Sequence, residues 1–314
     1  MNPVKGEADL ARHGRETIAV GSKSFAMASR VLEPAIRDDA AMLYAFCRYA
    51  DDLVDGQVMG HGQLEDYKAG QAARVVELRE RTLEALAGEP QGDPHYAALV
   101  SVVDRHGIPH RHVMELVDGF QMDADDRVYE TMGDVLDYGY HVAGVVGVMM
   151  AWIMGVREAA TLDRASDLGI AFQLTNIARD VVDDAEAGRV FVPREVLEWA
   201  GAPTDAAGLR DKANRDATYR AAVALLNEAE SYYASAHVGV AELTRRNAWA
   251  ILTALRVYRA IGTKLRAGGP EALFARASTT KAEKLRLAAK AWGASRRKDG
   301  VAVTPRVGLY ARPA

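Results

Sequence analysis

The chain has 314 residues, 49% apolar and 26% charged, so it can bury a large core and is neither disordered nor fibrous. Its formal net charge of -4 provides no overall basic field, so nucleic acid is not an expected partner. The only cysteine, Cys47, excludes an intramolecular disulfide framework and a multi-cysteine zinc site, and it fits the reducing cytoplasm.

Helical patterns dominate the chain, because apolar residues recur three and four positions apart and alternating β-branched segments are nearly absent. We therefore predict an all-α protein. Pro34 near a first turn and Gly56 after a last turn delimit a helix from Pro34 to Asp55. Further helices are expected over residues 63–88, 95–105, 110–123, 131–155, 161–185, 209–236, 239–266 and 279–294.

The ends and the longest apolar run bear on domain organisation and location. The first twenty residues are broken by charges and lack the apolar core of a secretory signal, so export is not expected. The longest uncharged apolar run, residues 142–156, is shorter than the roughly 20 residues that cross a bilayer. We predict one catalytic domain over residues 1–294 and a basic tail over 295–314. The tail is expected to be loosely held, with contact to anionic lipid as the second interpretation.

The first cluster of chemical interest lies on the helix predicted from Pro34 to Asp55. Asp51 and Asp55 are four positions apart and share one helical face, on which Tyr44 and Arg48 precede them. Like charges at this spacing are unfavourable on a partly buried helix unless a cation neutralises them. The pattern therefore indicates a metal site, with a solvated acidic surface as the alternative.

The second cluster is more specific. Gln173, Asn176, Asp180 and Asp184 are spaced three, four and four apart, which draws a narrow polar stripe along an otherwise apolar helix. The last three supply hard oxygen ligands on one face, and Arg179 flanks them. A solvated helix face would not require an amide at this position.

Two helices carrying oxygen ligands suit Mg²⁺, which shares its coordination sphere with waters and substrate phosphates. The sequence lacks an EF-hand loop, a P-loop and the Gly-x-Gly-x-x-Gly fingerprint, so calcium sensing, nucleotide hydrolysis and a Rossmann nicotinamide site are not indicated. These features favour a diphosphate substrate whose departure a metal assists.

Three segments together resemble one enzyme family: "LYAFCRYADDLVD", "YGYHVAGVVG" and "QLTNIARDVVDD". The chain is similar over nearly its whole length to the squalene and phytoene synthases, which join two prenyl diphosphates head to head. The resemblance implies a single-domain isoprenoid synthase helical bundle around a central cavity. Gly56 departs from the pattern, because many relatives have another aspartate there.

The resemblance also assigns roles to individual residues. The implied metal ligands are Asp51, Asp55, Asn176, Asp180 and Asp184. Diphosphate oxygens would be held by Ser22, Lys23, Ser24, Arg48 and Arg179. The positions near the reacting carbons match Phe25, Tyr44, Tyr138, Gln173 and Tyr258. Ala143, Gly144 and Gly147 leave room either for a polyprenyl chain or for close helix packing.

The implied reaction condenses two geranylgeranyl diphosphates through prephytoene diphosphate to phytoene, in carotenoid biosynthesis. Mg²⁺ is the expected cofactor, Mn²⁺ its substitute, and no NADPH is expected. The alternatives are squalene or 4,4'-diapophytoene synthesis from farnesyl diphosphate, a class I terpene cyclase, and a non-enzymatic helical interaction protein. Because the product is apolar, peripheral contact with the inner face of the membrane and with neighbouring carotenoid-pathway enzymes is also expected.

Overall fold

The structure is a computed structural model that describes residues 6–21, 23–57, 67–89, 92–296 and 305–313, without the side chains of residues 23, 24 and 67. Every regular element in these ranges is a helix, which confirms the predicted all-α class. The α-helices, numbered in chain order, are α1 Gly6–Gly21, α2 Lys23–Ser29, α3 Pro34–Asp55, α4 Tyr67–Leu86, α5 Pro94–His106, α6 His110–Ala124, α7 Met132–Gly139, α8 Val145–Ile153, α9 Ala159–Glu186, α10 Arg194–Ala200, α11 Ala206–Arg210, α12 Arg215–Gly239, α13 Arg245–Gly268 and α14 Lys281–Ser295.

Shorter helical turns interrupt this series. A π-helical turn, Tyr140–Gly144, joins α7 to α8, and 3₁₀ turns occupy Lys212–Asn214, Val240–Glu242 and Pro270–Phe274. Among the described helices, none combines the length and hydrophobicity that crossing a bilayer requires.

The helix predicted from Pro34 to Asp55 is confirmed at both ends, whereas the helix expected over residues 209–236 begins only at Arg215. The chain breaks there because the side chain of Asp211 accepts a hydrogen bond from the Ala213 amide and caps a short 3₁₀ turn. Aspartate competes with helical hydrogen bonding in this way at helix starts. Thr244 likewise caps α13, so the helix predicted from residue 239 begins only at Arg245.

The chain divides into two compact units, one of residues 1–127 and 148–157 and the other of residues 128–147 and 158–314. In the first unit α3 packs against α1, where a Cβ at Gly14 would clash with the backbone of Ala41 and Met42. This close approach buries the apolar face of α3 and leaves its polar stripe on the other side. The single domain over residues 1–294 stays a prediction.

Helix α9 is the centre of the second unit and packs against α12 and the π-helical turn. A Cβ at Gly169 would clash with the Ala143 carbonyl group, and a Cβ at Gly147 would clash with the Ala165 carbonyl oxygen. A Cβ at Gly144 would also press on Ser166. Of the two interpretations of these small residues, the structure supports close helix packing.

The expectation of a loosely held tail is wrong for residues 305–313. Arg306 makes two hydrogen bonds of 2.7 and 2.8 Å to the fully buried Asp167. The Tyr310 hydroxyl donates to Asp137 over 2.8 Å, and Arg312 pairs with Asp163 at 2.5 Å. A buried carboxylate requires a partner charge, and this part of the tail provides it.

Candidate active site

The acidic cluster of the first unit lies in the last two turns of α3. Pro34 starts this helix, and Gly56 ends it in the left-handed conformation with φ of 60°. Arg48 pairs with Asp51 at 3.0 Å and with Asp52 at 2.6 Å. Burial lowers the pKa of Arg48, but the hydrogen bond and charge of Asp52 and the charge of Asp51 outweigh it, so the pKa rises. The α3 cluster therefore includes a cation from its own helix.

The second predicted ligand on α3, Asp55, lies one turn beyond Asp51. Gln71 of α4 donates to it over 3.4 Å, and Arg74 of the same helix donates two hydrogen bonds to the Val54 carbonyl oxygen. Helix α4 thus holds the carboxyl end of α3 in place without adding a carboxylate to it.

The aromatic part of this region contains two of the predicted cavity residues. Phe25 stacks on Tyr44 with ring centroids 5.5 Å apart. Gly21 ends α1 beside them, and a Cβ there would lie 2.5 Å from the Tyr44 hydroxyl. The predicted diphosphate ligands Ser22, Lys23 and Ser24 lie outside the residues whose side chains the structure describes.

The acidic cluster of the second unit lies in the last three turns of α9 and draws in a residue from another element. Arg179 donates to both oxygens of Asp180, and Arg276, which follows the 3₁₀ turn Pro270–Phe274, donates to Asp180 over 3.2 Å. Arg276 also approaches Asp183 at 3.7 Å. Burial lowers the pKa of Arg179, but its hydrogen bond with Asp180 outweighs burial, so the pKa rises.

Asp184 is the carboxylate of this cluster with the most perturbed acidity. Burial raises its pKa to about 7, and the nearby carboxylates of Asp180 and Asp183 push it in the same direction. Arg189 offsets this rise only in part. Because burial is the main cause, the ionised form of Asp184 is disfavoured in the metal-free cluster, and a cation beside it would favour that form.

The α9 residues fit a divalent cation, because the raised pKa of Asp184 shows a site that added positive charge would stabilise. The stripe offers an amide oxygen at Asn176 and carboxylates at Asp180 and Asp184, which are the hard donors that Mg²⁺ prefers. The described residues contain no group of three histidine, cysteine or acidic side chains already converged on one point. Asp180 instead forms ion pairs with Arg179 and Arg276, which provide the positive charge beside it.

Aromatic rings line the α9 stripe beside the carboxylates. Phe172 stacks on Tyr258 with centroids 4.1 Å apart, and Tyr233 lies 6.2 Å from Phe172. Burial raises the pKa of Tyr258, which Arg179 opposes and the charge of Asp180 reinforces. The predicted cavity residue Tyr258 is therefore close to the charged end of the stripe.

Tyr138 belongs to a second aromatic group at the end of α7. Its ring stacks on Phe191 at 5.3 Å and lies 5.3 Å from Tyr129. The neighbouring Gly139 approaches Gln173 so closely that a Cβ there would lie 3.8 Å from the Cβ of Gln173. The π-helical turn begins at the next residue, and such turns are frequent at functional sites. The structure thus places Gln173 beside the residue that follows Tyr138.

Comparison with known proteins identifies the family of this chain. A protein-family model described as squalene/phytoene synthase matches residues 18–283. This chain belongs to the squalene/phytoene synthase family. The resemblance found in the sequence is therefore confirmed.

Within the squalene/phytoene synthase family, the 15-cis-phytoene synthase of a Paracoccus species is 49% identical over 98% of this chain and 99% of its own length. The 15-cis-phytoene synthase of Pantoea ananas is 47% identical over 90% of this chain and 91% of its own length. A dehydrosqualene synthase crystal structure superposes with a TM-score of 0.82 and 26% identity, covering 92% of this chain and 98% of its own. The isoprenoid synthase fold implied by the resemblance is thereby confirmed.

Two residues of the candidate site were not predicted from the sequence. Arg276 contacts the α9 cluster, but it stands in "FARASTT", where no periodic pattern marks it. Phe191 completes the Tyr138 group from the segment that follows α9. Its only signal is its place in "DAEAGRVFVPRE", which belongs to the motif region but lies beyond the helical stripe.

Proposed function

We propose that this chain is a 15-cis-phytoene synthase, a prenyltransferase that condenses two geranylgeranyl diphosphates to phytoene and releases two diphosphates. The observation that carries the proposal is 49% identity to a 15-cis-phytoene synthase over nearly the full length of both chains. The raised pKa of Asp184 and the arginines around Asp180 support a site in which metal and diphosphate balance each other's charge.

Mg²⁺, with Mn²⁺ as its substitute, is the proposed cofactor. Its ligands would be Asp51 and Asp55 of α3 and Asn176, Asp180 and Asp184 of α9. A bound divalent cation supplies Lewis-acid stabilisation of the charge that develops on departing diphosphate. If the carboxylates held the metal, Arg179 and Arg276 would be available to contact phosphate oxygens, which suit guanidinium geometry.

The first proposed step breaks the bond between C1 and the diphosphate oxygen of one substrate. The 2,3 double bond of the second substrate attacks that carbon, and loss of a proton closes the cyclopropane ring of prephytoene diphosphate. The second step breaks the remaining carbon–oxygen bond, and rearrangement with loss of another proton gives phytoene. Both steps balance without an electron donor, so NADPH is not required.

The aromatic residues would protect the carbocations formed in these steps. The rings of Phe172, Tyr258 and Tyr138 present π faces, which attract a cation. Burial keeps the pKa of Tyr258 above its ordinary value, so its hydroxyl stays protonated and is a poor nucleophile. Exclusion of water then preserves the cation for carbon–carbon bond formation.

Product analysis tests the proposal directly. The purified chain is supplied separately with farnesyl and geranylgeranyl diphosphate and Mg²⁺, each with and without NADPH. We expect a C40 hydrocarbon from geranylgeranyl diphosphate in both conditions. A C30 product made in preference to the C40 product would assign the chain to squalene or 4,4'-diapophytoene synthesis. A cyclic C20 product would indicate a terpene cyclase, and the absence of any turnover would favour an interaction protein.

We further propose that the protein is cytoplasmic and contacts the inner face of the membrane peripherally, because phytoene is too apolar to be released into water. Neighbouring carotenoid-pathway enzymes are the proposed recipients. Product release into vesicles is the measurement: we expect vesicles to raise the steady-state turnover rate. An equal rate without lipid would contradict membrane contact.

A further inference from the structure

Two adjoining recesses lie in the second unit between α12, α13 and α14, and neither contains a residue of the predicted active site. The larger has a volume of about 850 Å³ and the smaller about 500 Å³. His237 of α12 and Arg256 of α13 line both, so the two recesses form one continuous groove.

The groove carries positive charge that its own acids do not neutralise. Its two carboxylates are already engaged, because Glu230 pairs with Arg259 at 2.6 Å and Glu283 pairs with Lys264 at 2.7 Å. Four further cations line the recesses and have no carboxylate partner in the described part of the chain: Arg256, Arg266, Arg286 and Lys290. Arg266 donates a hydrogen bond to the Asn227 side chain over 2.6 Å, so the other three are the candidates to hold an anion. Cations that line one groove attract an anion.

Arg256 has an additional reason to bind a ligand. Its Nε atom is buried and has no hydrogen-bond partner among the described residues. A buried donor without an acceptor is unfavourable, and an acceptor oxygen in the groove would satisfy it. Phosphate oxygens are well suited to this, since the guanidinium group presents its donors in a planar fork.

The smaller recess has a different character from the larger one. Apart from His237, Arg256, Lys290 and Ser295, its walls are small or aliphatic: Val240, Ala241, Ala248, Leu252, Gly293 and Ala294. The larger recess holds most of the charged side chains. The groove therefore offers a cationic end and an apolar end that meet at His237 and Arg256, which is the pattern of a site for an amphiphile.

We propose that this groove binds a phosphorylated lipid, with the phosphate between Arg256, Arg286 and Lys290 and the apolar chain in the smaller recess. Two sources share this chemistry, a soluble prenyl phosphate and a phospholipid headgroup. The proposal is independent of the proposed catalytic function, because Arg256 faces the groove whereas Tyr258, two positions along α13, contacts Phe172 of α9.

His237 provides a local probe of occupancy. Burial lowers its pKa, and the charges of Arg256 and Arg259 lower it further. An anion among Arg256, Arg286 and Lys290 would oppose those charges, so binding is expected to raise the pKa of His237. The acids Glu230 and Glu283 face the same space but remain in their ion pairs, so the change reports mainly on the added anion.

The test uses the full chain with ¹⁵N-labelled histidine, in EDTA so that metal-dependent diphosphate binding is suppressed. One arm titrates geranyl monophosphate, and the other adds phosphatidylcholine vesicles with or without phosphatidylglycerol. The His237 signals are identified with His237→Gln. We expect saturable shifts of these signals and a higher His237 pKa in at least one arm. Response to the soluble phosphate alone identifies a metabolite site, and response to anionic vesicles alone identifies a headgroup site.

A matched pair of variants on α14 distinguishes specific binding in the groove from unspecific attraction to a basic surface. Lys290→Gln removes a groove cation, whereas Lys281→Gln removes an exposed cation outside both recesses. We expect the Arg286→Gln/Lys290→Gln variant to bind at least tenfold more weakly and Lys281→Gln to stay within twofold of the parent protein. Absence of any His237 response in both arms, or equal weakening by Lys281→Gln and Lys290→Gln, would overturn the proposal. Turnover of prenyl diphosphates by these variants is measured in parallel. It shows whether the prenyltransferase proposal holds independently of the groove proposal.

Discussion

The two acidic clusters use the same residue types but differ in their electrostatic state. On α3, Arg48 pairs with Asp51 and Asp52 from within the same helix. On α9, Arg179 and the distant Arg276 both contact Asp180, and burial raises the pKa of Asp184 to about 7. The arginine that pairs with the α3 acids thus comes from their own helix, whereas the α9 cluster draws on an arginine 96 positions away and still holds a carboxyl group of raised pKa. A divalent cation beside Asp184 would favour its ionised form.

The largest expected effect is on catalysis, through Asp180→Asn. Removing a charged metal ligand costs about 3–4 kcal/mol of transition-state stabilisation, or roughly 100- to 1000-fold in kcat. Asp183→Asn is the matched control, since Asp183 lies three positions further along α9, flanks the stripe and is more exposed than Asp180, and we expect a change below about threefold. Steady-state kinetics with saturating Mg²⁺ measure both. Equal losses in the two variants would contradict the assignment of the stripe.

The second prediction concerns pH and the stability of the metal-free protein. The folded-state pKa of Asp184, about 7, lies above its ordinary 3.8. Its favourable contribution is therefore fully present below pH 3.8 and is lost as pH rises through 7. Between pH 5 and pH 8 this group should lower the free energy of unfolding by roughly 2–3 kcal/mol.

Urea unfolding in EDTA measures this slope. Asp184→Asn should flatten it. Mg²⁺ should restore stability at pH 8 in the parent protein but less in Asp184→Asn. Parallel pH profiles for the parent protein and Asp184→Asn would contradict the raised pKa of Asp184.

A pair of glycines compares packing in the two units. Gly169→Ala places a methyl group against the backbone of Ala143 and Gly144, which cannot move independently, so we expect a loss of about 1–3 kcal/mol in the free energy of unfolding. Gly21→Ala meets the far end of the Tyr44 side chain. Its effect should stay below about 1 kcal/mol and disappear in Gly21→Ala/Tyr44→Phe. Chemical denaturation gives all three values. If Gly21→Ala lost stability and the additional Tyr44→Phe change did not restore it, the described packing of Gly21 against Tyr44 would be wrong.

The smallest expected effect is that of Arg276→Gln. Its pair with Asp180 is solvent-exposed, with 65% of the Arg276 side chain accessible, so stability should change little. Loss of a charged contact to diphosphate should raise KM about tenfold. Arg215→Gln, which removes an exposed ion pair with Glu271, is the control and should leave KM unaltered. An unchanged KM for Arg276→Gln would show that Arg276 pairs with Asp180 in the substrate-free protein but does not contact the diphosphate.

The sequence predicted those parts of the fold that depend on local periodicity. The helix from Pro34 to Asp55 is recognisable because its proline, its apolar face and its terminal glycine all lie within one segment. The break at Asp211 was missed because it depends on a side-chain cap, while the apolar spacing continues through it. The ion pair that attaches the tail to α9 was missed because Asp167 and Arg306 are 139 positions apart.

The candidate site follows the same rule. The α9 stripe was predictable since Asn176, Asp180 and Asp184 share one helical face. Arg276 lies 96 positions from Asp180, and no spacing rule connects residues at that distance. Sequence patterns therefore pointed to the two helices that carry the proposed ligands, whereas the distant arginine that pairs with Asp180 required the three-dimensional structure.

The Arg306–Asp167 contact has a consequence for synthesis on the ribosome. Chains grow at about 5–20 residues per second, so Arg306 is made roughly 7–28 s after Asp167, given their separation of 139 positions. During that interval α9 can form, but the fully buried position of Asp167 lacks its guanidinium partner. The second unit is therefore expected to mature late in translation. A nascent chain arrested before Arg306 should be more sensitive to protease around α9 than one arrested after Arg312 has emerged.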